Sequence, residues 1–444
     1  NDTMDRLTSS PQPSGPTAPA ELETGALYLR IAHGIAEAIR RGSLMRGQRL
    51  PSVRETARQY SVAISTVVQA YHWLEDARLI VARPRSGFFV TLRAAPQLPE
   101  PTVAKALRRA HPVCVDVLGQ RLLGPNQAGD AVSFSSGTPD ESLLDAERVR
   151  RSVIRAVQHH RGLLCHYPGP YGHIDARRAL ARYALHLGCS LDPERITITA
   201  GRMEAISLCL RAATQPGDVV AIESPTHYSF LELLQSLHLR ALEIPTHPRH
   251  GLSLAALPVP TLSNPLGSCM PLAERRRLAQ MARQHDIAVI EDAVYNELVF
   301  HDELRRTVKS FDSSGHVMLC DSFTKTVAPG LRLGWVEAGR WTEGLRRLKS
   351  VQGAQTSVLE LAVADLLSQA GHQAAMRQLR NAAGARLDEA RGLIAEYFPP
   401  GTRVSDPPGG FLLWVELPHG IDAQALQLAA QAEQILVAPG SLFS

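Results

Sequence analysis

The sequence predicts a multidomain chain. A small N-terminal winged helix-turn-helix head precedes a large α/β body with a mixed, mostly parallel sheet, which ends in a smaller α+β subdomain. Three observations predict this. At 444 residues the chain exceeds what one hydrophobic core serves. Its charge is segregated: residues 25–93 hold eleven arginines against four acids, an excess of seven, although the whole chain is only +4. Helical stripes alternate with short apolar runs only beyond about residue 130, the pattern of a sheet covered by helices.

The elements follow in order. Residues 1–24, rich in proline and small polar side chains, bury too little to order themselves and are expected to be a flexible tail. Leu27, Ile31, Ile35 and Ile39 recur every four residues, one face of a helix, with Gly42 as its stop. Ser52 is an N-cap for a second helix carrying Val53, Ala57 and Tyr60. Ser61-Val62-Ala63 turns the chain into a third helix, with Val67, Val68, Tyr71 and Leu74 facing inward. Ile80 to Val90 reads as a hairpin around Pro84-Arg85-Ser86-Gly87. Residues 94–130 shift to Pro, Ala and Arg and read as a linker with a short helix near Val117–Leu123. In the body, residues 131–444, strands are expected at Arg195–Thr199, Asp218–Ile222, Ala288–Ile290 and Val317–Leu319. From about residue 350 a long amphipathic stretch and a strand over Gly409–Leu417 form the smaller subdomain.

An apolar content of 44% with 20% charged residues excludes a disordered chain. No apolar run approaches a membrane span and no signal peptide is evident, so a cytoplasmic protein with no membrane partner is expected, associated with the nucleoid when bound to DNA. The six cysteines lack metal-ligand or redox spacing and read as buried small residues, with no metal site.

A basic head on a slightly acidic body points to a polyanion partner for the head alone. In a helix-turn-helix the second helix enters the major groove with its N-terminal residues nearest the base edges. Here Ser65 and Thr66 offer hydroxyls and Gln69 an amide suited to adenine. Arg54 suits a phosphate or guanine, and Arg83 and Arg85 at the hairpin tip suit a groove or the backbone. The segments Leu50-Pro51-Ser52-Val53-Arg54-Glu55-Thr56-Ala57, Thr66 to Leu74 and Arg85-Ser86-Gly87-Phe88-Phe89-Val90 resemble the DNA-binding domain of the GntR regulators. That resemblance implies operator DNA as partner. Ala63-Ile64 stands where the family usually has Ser-Arg, so a guanine-reading arginine is replaced by a residue suited to a thymine methyl.

In the body, Lys325 is one of only four lysines in a chain that otherwise uses arginine for positive charge. A guanidinium cannot lose its proton and condense with an aldehyde; a lysine amine can. Around it stand residues suited to a phosphorylated aldehyde. Asp292 closes an apolar run, where its carboxylate can hold a protonated pyridine. Tyr295 and Asn264 can donate to a ring oxygen. Gly201-Arg202-Met203 opens a helix whose free amides form an anion site, and Ser322 and Arg332 can complete the clamp.

The ordered set Gly201, Asn264, Asp292, Tyr295, Ser322, Lys325 and Arg332 resembles the fold-type I pyridoxal-phosphate enzymes, the aspartate aminotransferase superfamily. Head and body in this order resemble the MocR subfamily of GntR regulators. The resemblance implies an aminotransferase-like domain with pyridoxal 5'-phosphate as cofactor. It also implies a homodimer with exchanged heads, in which Tyr167 reaches the phosphate of the neighbouring subunit. Three departures stand out. His227 occupies the place of the aromatic that stacks on the pyridine, with Tyr228 as the fallback. Gly251 to Pro260 is short for the segment before the Asn-Pro loop. The sequence stops at Ser444, before the family's carboxylate-binding arginine, and so reads as truncated there.

The expected function is a DNA-binding transcription regulator that senses a small amino compound through an aldimine at Lys325. Two alternatives stay open: a catalytically active aminotransferase with an accessory DNA-binding head, and a DNA-binding protein whose body only dimerises.

Overall fold

Helix α1 (Leu27–Arg40) turns one apolar stripe toward the head's core. In the computed structural model, residues 27–41, 43–45, 47–77, 79–83, 86–91, 98–103, 109–113, 131–135, 137–251 and 258–443 are described. The expected tail, the hairpin tip at Pro84-Arg85 and the helix near Val117–Leu123 lie outside them. Contacts among residues divide the chain into two compact units, up to residue 92 and from residue 93.

In the head, Ile31, Ala32, Ala36 and Ile39 of α1 are buried, while Leu27, expected on the same stripe, is exposed at the helix end. Helix α2 (Val53–Gln59) begins at Ser52, whose hydroxyl accepts from the Glu55 amide while the Glu55 carboxylate accepts from the Ser52 amide. This reciprocal capping satisfies two otherwise orphaned donors. Ser61 takes a φ of 51° in the turn, and α3 (Ile64–Asp76) follows with Val67, Ala70, Tyr71 and Leu74 buried. Ala70 takes the place expected for Val68, which is only half-buried, because the buried face follows the i, i+3, i+4 spacing from Val67. Strands β1 (Ile80–Arg83) and β2 (Gly87–Val90) pair antiparallel as the wing. The segment before Leu50 adds to it, through Gly47 N to Val90 O at 2.8 Å and Leu50 N to Phe88 O at 2.8 Å.

Tyr71 ties the unit together. Its hydroxyl donates to the Pro51 carbonyl at 2.8 Å and lies 2.7 Å from the Thr56 hydroxyl, and its ring packs edge-on against Phe88. Tyr71→Phe is expected to leave the buried Thr56 side chain short of its partner and to cost about 1–2 kcal/mol. Urea unfolding of the head would measure it; a loss below about 0.3 kcal/mol would show that the hydroxyl pair contributes nothing.

The body begins with β3 (His111–Pro112) and β4 (Val132–Ser133), then α4 (Ala146–His159), α5 (Ile174–Ala184), β5 (Ile196–Thr199) and α6 (Arg202–Ala213). Next come β6 (Val219–Ser224), α7 (Tyr228–Ser236), β7 (Arg240–Pro245), α8 (Leu272–Gln284), β8 (Val289–Asp292), β9 (Val317–Ser322) and β10 (Gly334–Glu337). The chain closes with α9 (Thr342–Gln352), α10 (Ser357–Ser368), α11 (His372–Tyr397), β11 (Arg403–Val404), β12 (Val415–Glu416), α12 (Ala423–Ala432) and β13 (Ile435–Leu436). One sheet has the order β5-β10-β9-β8, another β3-β7-β6. Strands β8 and β9 are parallel, as are β6 and β7, whereas β10 runs antiparallel to both β5 and β9. Three strands thus end together at one edge, the C-terminal ends of β5, β8 and β9, where α/β sheets present ligand groups.

Both faces of that sheet are covered. Met318, Cys320 and Val336 pack with Ile206 and Leu210 of α6, and the alternate residues Leu319 and Trp335 pack with Leu180 of α5 and Leu366 of α10. A sheet buried on both sides has little polar alternation, which explains why β10 does not stand out in the sequence. The expected strand over Gly409–Leu417 shrinks to β12. Gly409 instead bridges to Val299, where a side chain would sit 2.5 Å from the Leu298 carbonyl oxygen.

The stretch expected to be a linker is partly docked on the body. Thr102 donates its amide to Glu416 at 2.6 Å, Val404 N donates to Pro99 O, and β3 pairs with β7. Its backbone polar groups find partners there. Of the cysteines, Cys189, Cys209, Cys269 and Cys320 are buried and free, Cys165 is exposed, contrary to the expectation, on the short helical turn after α4, and Cys114 lies outside the described residues. Among the described residues no helix is long and apolar enough to cross a membrane, and no cluster could hold a metal ion.

Candidate functional sites

At the start of α3, Ile64 is 54% exposed and Ser65 and Gln69 are exposed, with Thr66 half-buried. Ala63 caps the helix without a side-chain bond, so the entry to α3 is apolar at Ala63-Ile64 and polar one residue later. Arg54 is exposed on the first turn of α2. Arg58, which the sequence reading did not single out, follows one turn later, and the two line a shallow depression with Ser61, Val62 and Ile64. The i, i+4 spacing of these arginines was the available signal. Arg83 ends β1, and Arg85 lies outside the described residues. If Arg54 meets a phosphate, Arg54→Ala is expected to weaken DNA binding evenly across sequences and to lower the salt slope by about one. Fluorescence anisotropy across a salt series measures this; an unchanged slope would place Arg54 off the backbone.

In the body, the strand ends bring together residues that are distant in sequence. Gly201, with φ of 85°, links β5 to α6. A side chain there would fall 3.1 Å from the Arg332 guanidinium, so that cation lies beside the helix entry. Arg332 itself has a φ of 49° just ahead of β10. Gly334, missed in the sequence, packs so closely on Gly201 that a Cβ would meet its carbonyl carbon at 2.5 Å. Ser322 is buried at the end of β9, its hydroxyl 2.8 Å from that of Thr324. The Met203 side chain packs on the main core, which leaves only its backbone amide for a ligand.

Asp292 is 1% exposed at the end of β8. One carboxylate oxygen accepts from the Val294 amide at 3.1 Å, and the other accepts from Arg202 Nη1. Tyr295 is buried, and its hydroxyl accepts from Asn264 Nδ2 at 3.3 Å; burial raises its pKa. His227 caps α7 by accepting from the Ser229 amide and stacks on Tyr228 with ring centroids 4.5 Å apart. Burial, with the charges of Arg202 and Lys325, holds His227 well below the usual imidazole range, so the ring is neutral. Tyr167 is fully exposed. Glu223, also unforeseen, is buried at the end of β6 and accepts from the Val259 amide at 3.0 Å; burial pushes it up to about 8.

Lys325 is half-buried, and its Nζ donates to the Gly137 carbonyl at 2.6 Å and the Thr138 hydroxyl at 3.4 Å. Burial and the nearby Arg202 and Arg332 lower its pKa to about 8, against the opposing pull of Asp292. Rarity of lysine alone would not have distinguished it. Lys309 is buried in a pair with Glu337 at 2.6 Å and Lys349 in a pair with Glu204 at 2.8 Å, whereas Lys325 rests on neutral acceptors.

This arrangement fits pyridoxal phosphate. The helix entry at Gly201 with Arg332 and Ser322 would take the phosphate, Asp292 the ring nitrogen, Asn264 and Tyr295 the ring oxygen, and Lys325 the carbonyl carbon. Asp292 is the one group already engaged by a cation, Arg202.

Comparison with known proteins agrees with both halves. The family model of bacterial regulatory proteins, gntR family, matches residues 27–90, and that of aminotransferase class I and II matches residues 130–444. The chain is 36% identical over 433 residues to the uncharacterized HTH-type transcriptional regulator YjiR of Escherichia coli, covering 94% of this chain and 92% of YjiR. It is 28% identical over 459 residues to the HTH-type transcriptional regulator TauR of Rhodobacter capsulatus, covering 94% of this chain and 90% of TauR. Among solved structures, kynurenine aminotransferase of Pyrococcus horikoshii, determined with PMP, superposes with a TM-score of 0.65 at 25% identity, covering 71% of this chain and 83% of that one. The alpha-aminoadipate aminotransferase of Thermus thermophilus shares the fold with a TM-score of 0.66 at 23% identity, covering 75% and 87%. With a GntR DNA-binding head joined to an aminotransferase-like body along nearly the full length of regulators built in the same order, the chain belongs to the MocR subfamily of GntR transcription regulators.

Proposed function

We propose that this transcription regulator binds operator DNA through its head and senses a small primary-amine compound through pyridoxal phosphate held at Lys325. The observation that carries the reading is the setting of Lys325, a half-buried lysine whose Nζ rests on the Gly137 carbonyl and the Thr138 hydroxyl, where burial, Arg202 and Arg332 favour its neutral form. The bound cofactor supplies a carbonyl that condenses with a primary amine and a ring that draws electrons from it. Everything else belongs to the protein. Asp292 keeps a proton on the ring nitrogen, Asn264 and Tyr295 orient the ring oxygen, and neutral His227 with Tyr228 offers an aromatic face. An incoming amine that took the place of Lys325 would free Nζ as an amine, which would become an ammonium with the proton the incoming amine gives up. That charge must find acceptors beside Arg202 and Arg332, which repel it, and the segment at Gly137-Thr138 is where it finds them. We place the switch there: effector binding changes the hold of Lys325 on that segment and so the disposition of the heads.

A homodimer with exchanged heads completes the reading. The full exposure of Tyr167 supports its use toward the phosphate of a second copy. The protein would act in the cytoplasm, at the nucleoid when bound to DNA. The aminotransferase fold favours a second reading, steady transamination, which turnover at ~1–10³ s⁻¹ would support.

The test titrates amino acids and simple amines while cofactor absorbance and operator binding are recorded together. One class of amine is expected to shift both at the same concentration; an amine that shifts the absorbance and leaves DNA binding untouched throughout the panel would separate the body from regulation. Because Lys325 is neutral above about 8, cofactor loading should also speed up as pH rises through that value. A loading rate flat between pH 6.5 and 9 would contradict a titrating Lys325 (roughly the span over which a group of that pKa changes state).

A further inference from the structure

Arg202 occupies the first position of α6, yet its side chain does not turn to the anion cradle that the helix entry forms. It reaches Asp292, donating from Nη1 to Oδ2, and passes 5.4 Å from the centroid of the Phe230 ring. Both partners are buried, at 8% and 1% exposure. The other Asp292 oxygen is taken by the Val294 amide. Both Asp292 oxygens therefore already have a donor, and one of those donors is a cation. Few other anions are at hand for Arg202. Glu223 is pushed up to about 8 by burial and is neutral at pH 7, while Lys325 and Arg332 add like charge to the same pocket.

We propose that Arg202 is an internal competitor of pyridoxal phosphate for Asp292, and that this residue sets how tightly the protein holds its cofactor. The inference rests on the cofactor reading above and adds a residue that limits affinity rather than supplying it. Loading would require Nη1 to give up Oδ2 to a protonated ring nitrogen, an exchange of hydrogen bonds at Asp292 that is separate from the condensation at Lys325, which releases water. A site that is competent only when Arg202 is withdrawn binds with an apparent affinity reduced by the withdrawn fraction. The protein would then shed its cofactor more readily than the remaining site residues suggest, making regulation responsive to cofactor supply.

The experiment uses the full-length protein stripped of cofactor, with affinity for pyridoxal phosphate measured by equilibrium dialysis and Tm measured with and without it. Arg202→Met, which keeps the stem and removes the charge, is expected to bind at least about tenfold tighter, the gain from freeing a site competent about one tenth of the time. Its cofactor-free Tm should fall and its rise on saturation should grow. Arg202→Gln, a milder change, should also tighten binding, which keeps the test usable if the methionine variant folds poorly. In an Asp292→Asn background the same Arg202 substitutions should give no gain. Unchanged or weaker binding by both Arg202 variants would overturn the proposal, the weaker result meaning that Arg202 serves the phosphate instead. If the wild-type protein and both variants alike bind no pyridoxal phosphate, the cofactor reading itself falls.

Discussion

Lys325→Ala is expected to release pyridoxal phosphate: no cofactor fixed by borohydride to the protein, and an affinity lower by on the order of a hundredfold, about 2.7 kcal/mol. The reason is chemical rather than electrostatic. Lys325 rests on the Gly137 carbonyl and the Thr138 hydroxyl, so its removal breaks no buried ion pair, unlike removal of Lys309 or Lys349. The body should therefore keep its fold, with a Tm within a few degrees of wild type. Lys325→Arg is the sharper control, since it keeps the charge but cannot condense with an aldehyde, and it should fail equally. DNA binding should persist in both variants, because the head has its own core of Ile31, Ile39, Leu50, Val67, Tyr71, Leu74 and Ile80. What should vanish is the response to amines. A variant without Lys325 whose operator binding still answers to the same amine at the same concentration would remove that residue from the sensing step. Mass spectrometry of the borohydride-treated protein, beside anisotropy on one operator fragment, reads every arm.

The residues that make this prediction possible were legible in the sequence for a definite reason. Asp292-x-x-Tyr295 and Ser322-x-x-Lys325 each lie at or just beyond the end of a buried strand, so their spacing is set by local backbone geometry that the chain displays directly. The capping serine of α2 and three of the buried residues of α3, Val67, Tyr71 and Leu74, were legible for the same reason, contacts between residues three or four apart, whereas Ala70 was missed in favour of Val68. Contacts that depend on long side chains or distant backbone were not. Arg202 was recognised as part of a helix entry, but that its guanidinium crosses to Asp292, ninety positions away, is a matter of side-chain rotamer rather than pattern. Gly137 and Thr138, which hold Lys325, lie nearly two hundred residues upstream. The docking of Thr102 on Glu416 spans more than three hundred, and a proline-rich composition suggested a spacer instead. Glu223 carried no signal either; burial raises the pKa of this glutamate, one residue before the end of its strand, only through what the fold closes over it.

Gly334→Ala carries the second large effect, and it tests the geometry of the site apart from its chemistry. Gly334 opens β10, opposite Thr199 of β5 on one side and Ser322 of β9 on the other. A methyl group added there would lie 2.5 Å from the carbonyl carbon of Gly201, 2.8 Å from its Cα and 2.9 Å from the amide nitrogen of Arg202. All three are backbone atoms at the entry to α6, so no side chain can turn aside to make room. Either α6 or β10 must move. Overpacking of this kind costs about 1–3 kcal/mol or more, and the displacement falls on the link between the cradle at Gly201 and the strand that leads to Lys325. Stability and cofactor affinity should therefore fall together: a Tm lower by several degrees and binding weaker by roughly tenfold or more, the equivalent of about 1.4 kcal/mol. Gly330 provides the comparison. It sits four residues upstream on the same connection, with open space around it and no positive φ, so Gly330→Ala should change stability by no more than about 0.5 kcal/mol. If Gly334→Ala matched Gly330→Ala in Tm and in pyridoxal phosphate affinity by equilibrium dialysis, the tight approach of β10 to α6 could not be what fixes the cradle.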